Sequence, residues 1–429
     1  MSELDEFGYS KDFERCHLGD VAHIEMGQSP DSRFVFEDPY IGYPFLQGNA
    51  EFGVVSPSPK FGCVRPTKLV KKSDVLVSVR APVGAVNIAD RDYCIGRGLA
   101  GIRLSGIEPN LAAQLVQHQS ADLRRVAQGT TFEAISKSDL QTLQLRLPPV
   151  AELPVIAQLL DTLDTAIHQT EAIVEKLKQV KQGLLHDLLT RGVDANGELR
   201  PCYETAPELY KESPLGWIPK EWDVVLVGDD TDIEHGFAFP GHQFTDKAVG
   251  PVLLVPGNFH REGGLYFTTE NTKYFSGKYP QQYILSSGDV LVVMTDLSPM
   301  TLILGRTVLL NEKFKVLHNQ RIGKFRFKKE GLWDTSFFAE AMSQDAVRLK
   351  VIAEATGTTV RHTSPDRIKS CYVARPKFPE QQISAQRIAD VDERRKIEEA
   401  NLLKLRQTKS GLMDDLLTGR VRVTPLLAQ

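Results

Sequence analysis

The chain lacks what would tie it to a membrane, a metal or an oxidising compartment. Its apolar runs fall far short of the ~18 residues needed to span a bilayer. The acidic start MSELDEFGYSKDFER is unlike a signal peptide, so a cytoplasmic protein with no membrane partner is expected. Five cysteines, Cys16, Cys63, Cys94, Cys202 and Cys371, are scattered, odd in number and free of CxxC spacing. That pattern suggests neither a disulfide framework nor a zinc site, and the thiols are expected to be reduced and structural.

Catalytic motifs are missing too. Gly277-Lys278 and Gly323-Lys324 lack the upstream glycine and the following Ser or Thr of a phosphate-binding loop, so ATP binding is not supported. The ten histidines form no HExxH. EDPYIGYP, from Glu37, lacks the second proline of an adenine methyltransferase motif, and Asp38-Pro39-Tyr40 reads as a turn. The pairs Asp229-Asp230 and Asp414-Asp415 are adjacent carboxylates, which seldom converge on one ion. No active site, metal or cofactor is expected on this chain.

A strong excess of either charge is also absent. With 51 basic and 55 acidic residues the net charge is −4, so phosphate neutralisation would have to be local. Residues 1–38 are acidic, whereas PKFGCVRPTKLVKKSDVLVSVRAPVG, GRTVLLNEKFKVLHNQRIGKFRFKK and the stretch containing Arg361, Arg367, Lys369, Arg375 and Lys377 are basic. Each half owns a basic surface candidate.

What the chain does have is a repeat. KLKQVKQGLLHDLLT at Lys176 returns as KLRQTKSGLMDDLLT at Lys404, a shift of 228 that holds without a gap back to GTT at Gly129 and Gly357. Each copy reads as a short strand, a proline stop and a long helix, over about 152–190 and 380–418, with Glu152 or Glu380 in an acid-friendly first turn. Leu163, Ala166, Ile173, Leu177, Val180, Leu184 and Leu188 keep mostly to steps of three and four, as do Ile388, Val391, Leu402, Leu405, Leu412 and Leu416. This periodicity predicts a coiled-coil seam, closed by Gly192 and Gly419. Such helices are roughly 55 Å long, more than either half could bury alone. Pairing could be antiparallel, placing the globular parts at opposite ends, or parallel, placing them side by side.

The remaining segments are strand-rich and diverge, with faint echoes: HLGDVAHIEMG against LVGDDTDIEHG, and KKSDVLVSVRAPVG against SSGDVLVVMTDLSP. The expected division is a first domain over 1–148, a helix over 149–192, a linker over 193–221, a second domain over 222–376, a second helix over 377–420 and a tail over 421–429.

In its two-copy order, in SPLGWIPKEWDVVLVGD and RPKFPEQQISAQRI, and in the ends GLLHDLLTRG and GLMDDLLTGR, nearly the whole chain resembles the DNA-specificity (S) subunits of type I restriction-modification systems. The first copy departs from the pattern, with PPVAELPVIAQ where the second has PKFPEQQISAQ. The resemblance implies an α+β architecture: two strand-rich α/β target-recognition domains joined by two long antiparallel helices in a coiled coil, with an internal pseudo-two-fold repeat. It further implies double-stranded DNA as ligand, two methyltransferase subunits as partners, and restriction subunits reached through them. S-adenosylmethionine, ATP and magnesium would then belong to those partners. Divergent domains on a duplicated rod would read a bipartite, asymmetric target. The competing expectation is a coiled-coil interaction scaffold, which should lack the steep salt dependence of DNA binding.

Base reading requires Arg, Lys, Asn or Gln on loops. The candidates are Gln47, Asn49, Arg80 and Arg97 in the first domain, and Asn258, His260, Arg261, Asn319, Gln320, Arg321 and Arg361 in the second. Because they repeat, Thr130, Thr131, Thr358 and Thr359 point away from specific reading, and are expected to cap the following helix ahead of touching phosphate.

Overall fold

The computed structural model describes residues 4–6, 8–53, 56–119, 123–125, 127 and 134–427. Gly129, Thr130 and Thr131 lie outside the described residues. The chain divides into two units, Met1–Ile173 with Glu398–Gln429, and Val174–Ile397.

In the first unit, Glu14–His17 pairs antiparallel with Gln144–Leu147. A four-stranded sheet runs in the order Ala22–Met26, Leu99–Leu104, Val75–Ser78, Val86–Ile88. A five-stranded sheet runs Val35–Phe36, Phe61–Cys63, Tyr43–Leu46, Tyr93–Ile95, Leu69–Val70, and its third and fourth strands are parallel. The strand VLVS is buried at all four positions because it is covered on both faces. Val75 and Val77 pack with Ala112, Ala113 and Val116 of the helix Pro109–His118, while Leu76 packs with Leu46, Tyr93 and Ile95 of the other sheet.

The second unit repeats this plan. Asp223–Leu226 pairs with Tyr372–Arg375. The four-stranded order is Thr231–His235, Ile322–Phe327, Val290–Val293, Thr307–Leu309, and the five-stranded order is Phe244–Thr245, Lys273–Phe275, Val252–Leu253, Val316–Leu317, Ile284–Leu285. Again one pair, the third with the fourth, is parallel. VLVV splits as VLVS does, with Val290 and Val292 toward Phe337 and Phe338, and Leu291 and Val293 toward Leu254 and Val316. The expected linker is itself folded, with a hairpin of Tyr210–Ser213 and Gly216–Pro219.

The long helices are Leu153–Thr190, 38 residues, and Phe378–Thr418, 41 residues. Within each unit they run antiparallel. In the first unit Asp164 pairs with Lys409 and Glu171 with Arg406; in the second Lys181 pairs with Asp392, and Glu380 accepts the Val193 N–H. The shift of 228 converts Asp164–Lys409 into Asp392–Lys181 with the helices exchanged, the signature of the pseudo-two-fold repeat.

The seam departs from expectation at two positions. Leu160, Ile167, Val174 and Leu188 are buried, whereas Ile173 and Val180 are 43% and 42% exposed. The strict seven-residue row 160, 167, 174, 181, 188 therefore includes Lys181, and an ion pair occupies the place where sequence pattern selected an aliphatic neighbour. Along the second helix Ile388 and Leu416 are buried, and Val391, Leu402, Leu405 and Leu412 are half-buried.

Each helix start is also gripped by the chain that leaves the other helix. Glu152, 2% exposed, takes Arg422 through Nε at 3.0 Å and through Nη2. Glu380 takes both terminal nitrogens of Arg200, the Trp222 indole N–H at 3.1 Å and the Val193 N–H at 3.0 Å. Burial works against the Arg200 charge, but the Glu380 carboxylate outweighs it and holds the guanidinium above its ordinary pKa. Gly192, at φ +63°, ends the first helix; a Cβ there would strike Glu380 and Trp222. The repeated Glu is thus a buried clamp rather than only a dipole partner.

Thr358 and Thr359 do not cap a helix. They lie in an exposed turn, and Ser364 caps Pro365–Lys369 by accepting the Arg367 N–H; Ser136 does the same for Lys137–Gln141.

Candidate nucleic-acid interface

In the first unit, three backbone hydrogen bonds draw four loops into one junction. The Gly96 N–H donates to the Leu46 carbonyl at 2.8 Å, Gln28 to Ile95 at 3.0 Å and Val79 to Gly98 at 3.0 Å. Gln47, Arg97 and Arg80 each sit beside one of these bonded residues, and all three are exposed. Asn49 lies two residues beyond Gln47, half-buried, opening the short turn Asn49–Glu51. The junction adds Gln28, exposed and missed by the sequence reading. Its signal was the repeated IE-x-G. At Gly27 a Cβ would collide with the carbonyl oxygens of Gly96 and Leu99, and at Gly236 with Asn319 and the His318 carbonyl. These glycines mark where backbone meets backbone, and Gln28 follows directly.

The second unit builds the same junction with other side chains. Phe237 donates to His318 at 2.8 Å, Met294 to Arg321 at 3.0 Å and Ile322 to Asn319 at 3.0 Å, matching Gln28 to Ile95, Val79 to Gly98 and Leu99 to Gly96. Gln320 and Arg321 are exposed here, in the places of Arg97 and Gly98, and Thr295 stands where Arg80 does.

Other candidates are corrected by their surroundings. Asn258 is fully buried: its carbonyl accepts the Val255 N–H at 2.9 Å and its amide donates to Asn271 O at 3.2 Å. Asn319 is buried and accepts the Arg321 N–H at 3.2 Å. Both amides shape loops and leave no edge for a base. Arg361 is half-buried, and its guanidinium donates to the carbonyls of Gly357 and Ile352 at 3.2 and 3.3 Å, fastening the chain beyond the helix Asp345–Ala353. His260 and Arg261 are exposed on a separate turn, whose Glu262, Gly263 and Gly264 line a cleft of about 980 Å³ with Lys181, Glu340 and Asp392. Gln320 and Arg321 do not line that cleft. In the cleft, burial raises the Glu340 carboxyl pKa against the opposing pull of Lys181.

The acidic pairs are taken up structurally. Asp230 accepts the Trp333 indole at 2.9 Å and Arg375 at 2.6 Å, while Arg420 binds both Asp414 and Asp415. Among the described residues no group of three or more His, Cys, Asp or Glu side chains could hold a metal ion. Among the described residues no helix is long and apolar enough to cross a membrane. The two junctions offer guanidinium and amide groups on fixed backbone, the donors and acceptors that match base edges and phosphates.

Comparison with known proteins fits that chemistry. The family model described as the type I restriction modification DNA specificity domain matches residues 10–179 and again 219–407. The provisionally named MjaX specificity subunit of a type I restriction enzyme from Methanocaldococcus jannaschii is 37% identical over 193 residues, 44% of this chain and 45% of that relative. The chain thus spans less than half the length of this relative. The MjaVIII specificity subunit from the same organism is 25% identical over 71% of this chain and 68% of its own length. In fold, the chain is similar to the crystal structure of a type I restriction-modification S subunit from M. genitalium, with TM-score 0.59, 14% identity, and coverage of 96% of this chain and 98% of that one. A chain from a structure describing assembly and conformational transition of the type I system gives TM-score 0.54, also at 14% identity, covering 96% and 99%.

Proposed function

This chain belongs to the type I restriction modification DNA specificity family, and from that premise we propose that it reads a bipartite, asymmetric DNA target on behalf of partner subunits that carry the chemistry. The observation that carries the reading is the pair of matched junctions, alike in backbone and different in their exposed polar side chains. Gln28, Gln47, Arg80 and Arg97 read one half-site, with Asn49 beside them, and Gln320 and Arg321 read the other. Arginine offers a bidentate fork to guanine and glutamine offers one to adenine. Because the two sets differ, the half-sites differ, and a palindrome is not expected.

The helix pair holds two methyltransferase subunits and, through them, ATP-dependent restriction subunits. S-adenosylmethionine, ATP and magnesium act on those partners. The modest net charge fits a chain that supplies only part of a positive DNA channel.

Methylome sequencing of a host expressing this chain with its methyltransferase partner tests the proposal. One bipartite motif with unlike halves is the expected result; a palindromic motif, or none, contradicts it. Incubating the chain alone with DNA, magnesium, ATP and S-adenosylmethionine should give no turnover, and any turnover would refute the non-catalytic assignment.

A further inference from the structure

The two junctions differ most in the loop that follows the buried strand. In the first unit the Gly84 N–H returns to the Ser78 carbonyl, enclosing the five residues 79–83; in the second, Gly305 returns to Val293 and encloses the eleven residues 294–304. The longer loop places three large apolar side chains in water within six residues: Leu297 at 58% exposure, Met300 at 73% and Leu302 at 38%.

Such a display would ordinarily be eliminated by collapse onto the domain, but this loop is held open from below by two buried charges. The Asp296 carboxylate, 2% exposed, accepts the N–H groups of Ser298 at 2.8 Å, Ile303 at 2.8 Å and Leu304 at 3.2 Å. Arg348, also buried, donates to the carbonyls of Leu304 and Leu302 at 3.3 and 3.2 Å and reaches that of Thr301. At the tip, Ser298 to Thr301 close a turn with Pro299 at its second position. A carboxylate satisfying donors and a guanidinium satisfying acceptors leave the loop with its backbone partners in place and its apolar side chains outward.

Location selects the occupant. Met294, at the loop's root, donates to Arg321, and Thr295 bridges to His362, so the loop springs from the junction that exposes Gln320 and Arg321. In the first unit the same root carries the exposed Arg80. We propose that Leu297–Leu302 is an apolar wedge of the second domain, with Met300 and Leu297 inserted at a base step of its half-site and partly unstacking it. This rests on the DNA-reading function above. Leu and Met are suited to the task, since they cover an opened stacking face without demanding a hydrogen bond, and a rooted loop does not lose its order on insertion. The first domain, whose loop is shorter, wedges no step of its half-site.

The test uses the full chain assembled with its methyltransferase partners and a duplex carrying the mapped target, with a fluorescent adenine analogue stepped through each half-site. Apart from the base that each methyltransferase extrudes from the stack, wild type should brighten one step in the second half-site and none in the first. Met300→Ser and Leu297→Ser should quench that signal and weaken target binding about tenfold, as expected for losing one buried apolar side chain. Their thermal midpoint and methyltransferase content should not change, because both side chains are exposed. Variants that keep the signal and the affinity would overturn the wedge alone. So would variants that shed the methyltransferase, which would make the loop a protein-docking element. A wild-type assembly that fails to distinguish target from scrambled duplex would overturn the DNA-reading function and the wedge with it.

Discussion

The first and second strand-rich domains share every strand neighbour in their two main sheets, including the single parallel pair in each, yet the loops above those sheets carry different side chains. Where the first has Gln28, Arg80 and Arg97, the second has Phe237, Thr295 and Gln320. What is held in common is backbone: Gly27 and Gly236 permit the same close approach, two matched hydrogen bonds join the loops, and a third closes the turn at Gly96 and Asn319. Gln28, Arg80 and Arg97 are exposed, as is Gln320, whereas Thr295 is buried and Phe237 half-buried. At the exposed positions a substitution typically shifts stability by only about 0.5 kcal/mol, so reading can change there while folding does not.

The clamps at the helix starts should show the opposite behaviour, being similar in design and costly in both units. Glu380→Ala would leave the buried Arg200 with only the exposed Glu221 carboxylate and the Arg191 carbonyl, and would strip the Trp222 and Val193 donors of their acceptor, at a cost of about 3 kcal/mol. Glu152→Ala should cost less, because Arg422 is more exposed than Arg200 and each arginine keeps a second carboxylate, Asp12 or Glu221. Urea unfolding of the two variants provides the comparison. Equal, small losses would mean that the clamps do not hold the units together.

A smaller effect is expected at the junctions, and it should be confined to one half-site. Arg97→Ala and Arg321→Ala should each cost about 1–3 kcal/mol of target binding and relax discrimination only in the half-site that the mutated domain reads. Methylation rates on duplexes altered in one half at a time measure this. If either variant relaxed both halves, the domains would not be independent readers. Asn258→Ala sharpens the contrast: its amide is buried and serves the loop backbone, so it should lower stability by about 1–3 kcal/mol and leave the motif unchanged.

Much of this organisation was legible in the residues because duplication copied it. The shift of 228 located both helices and the paired glutamates. It did not locate Arg200 and Arg422, which come from segments following each helix and do not align by that shift. Nor could the apolar pattern distinguish Val180 from Lys181, since a seam position filled by an ion pair carries no hydrophobic signal. Among the base-reading candidates, residue type alone selected Asn258, Asn319 and Arg361 together with Arg97 and Arg321. An asparagine that caps its own loop and one that faces solvent are the same letter, and only burial and the satisfied N–H groups separate them. Gln28 was missed because the signal lay in the glycine before it.

The smallest expected difference is one of pH, and it arises beneath the junctions. His318 is buried, 3% exposed, with Nε2 against the Ile322 carbonyl at 2.8 Å; the matching position in the first domain is Ile95. Burial lowers the His318 pKa below its ordinary 6.5, and the carbonyl only partly opposes that fall. The unfolded chain therefore takes up this proton first. The stability that neutral His318 contributes is complete above about pH 6.5 and is lost as pH falls from there toward the depressed folded value. Acid should loosen the loop that presents Gln320 and Arg321 while leaving the Ile95 loop unchanged. Hydrogen exchange at residues 318–322 and 95–99, followed between about pH 7.5 and pH 5.5 and corrected for intrinsic rates, should show protection falling in the second domain alone. His318→Gln should abolish the difference in pH response. Equal acid sensitivity in both loops would place its source outside His318, the one buried titratable residue of the two loops.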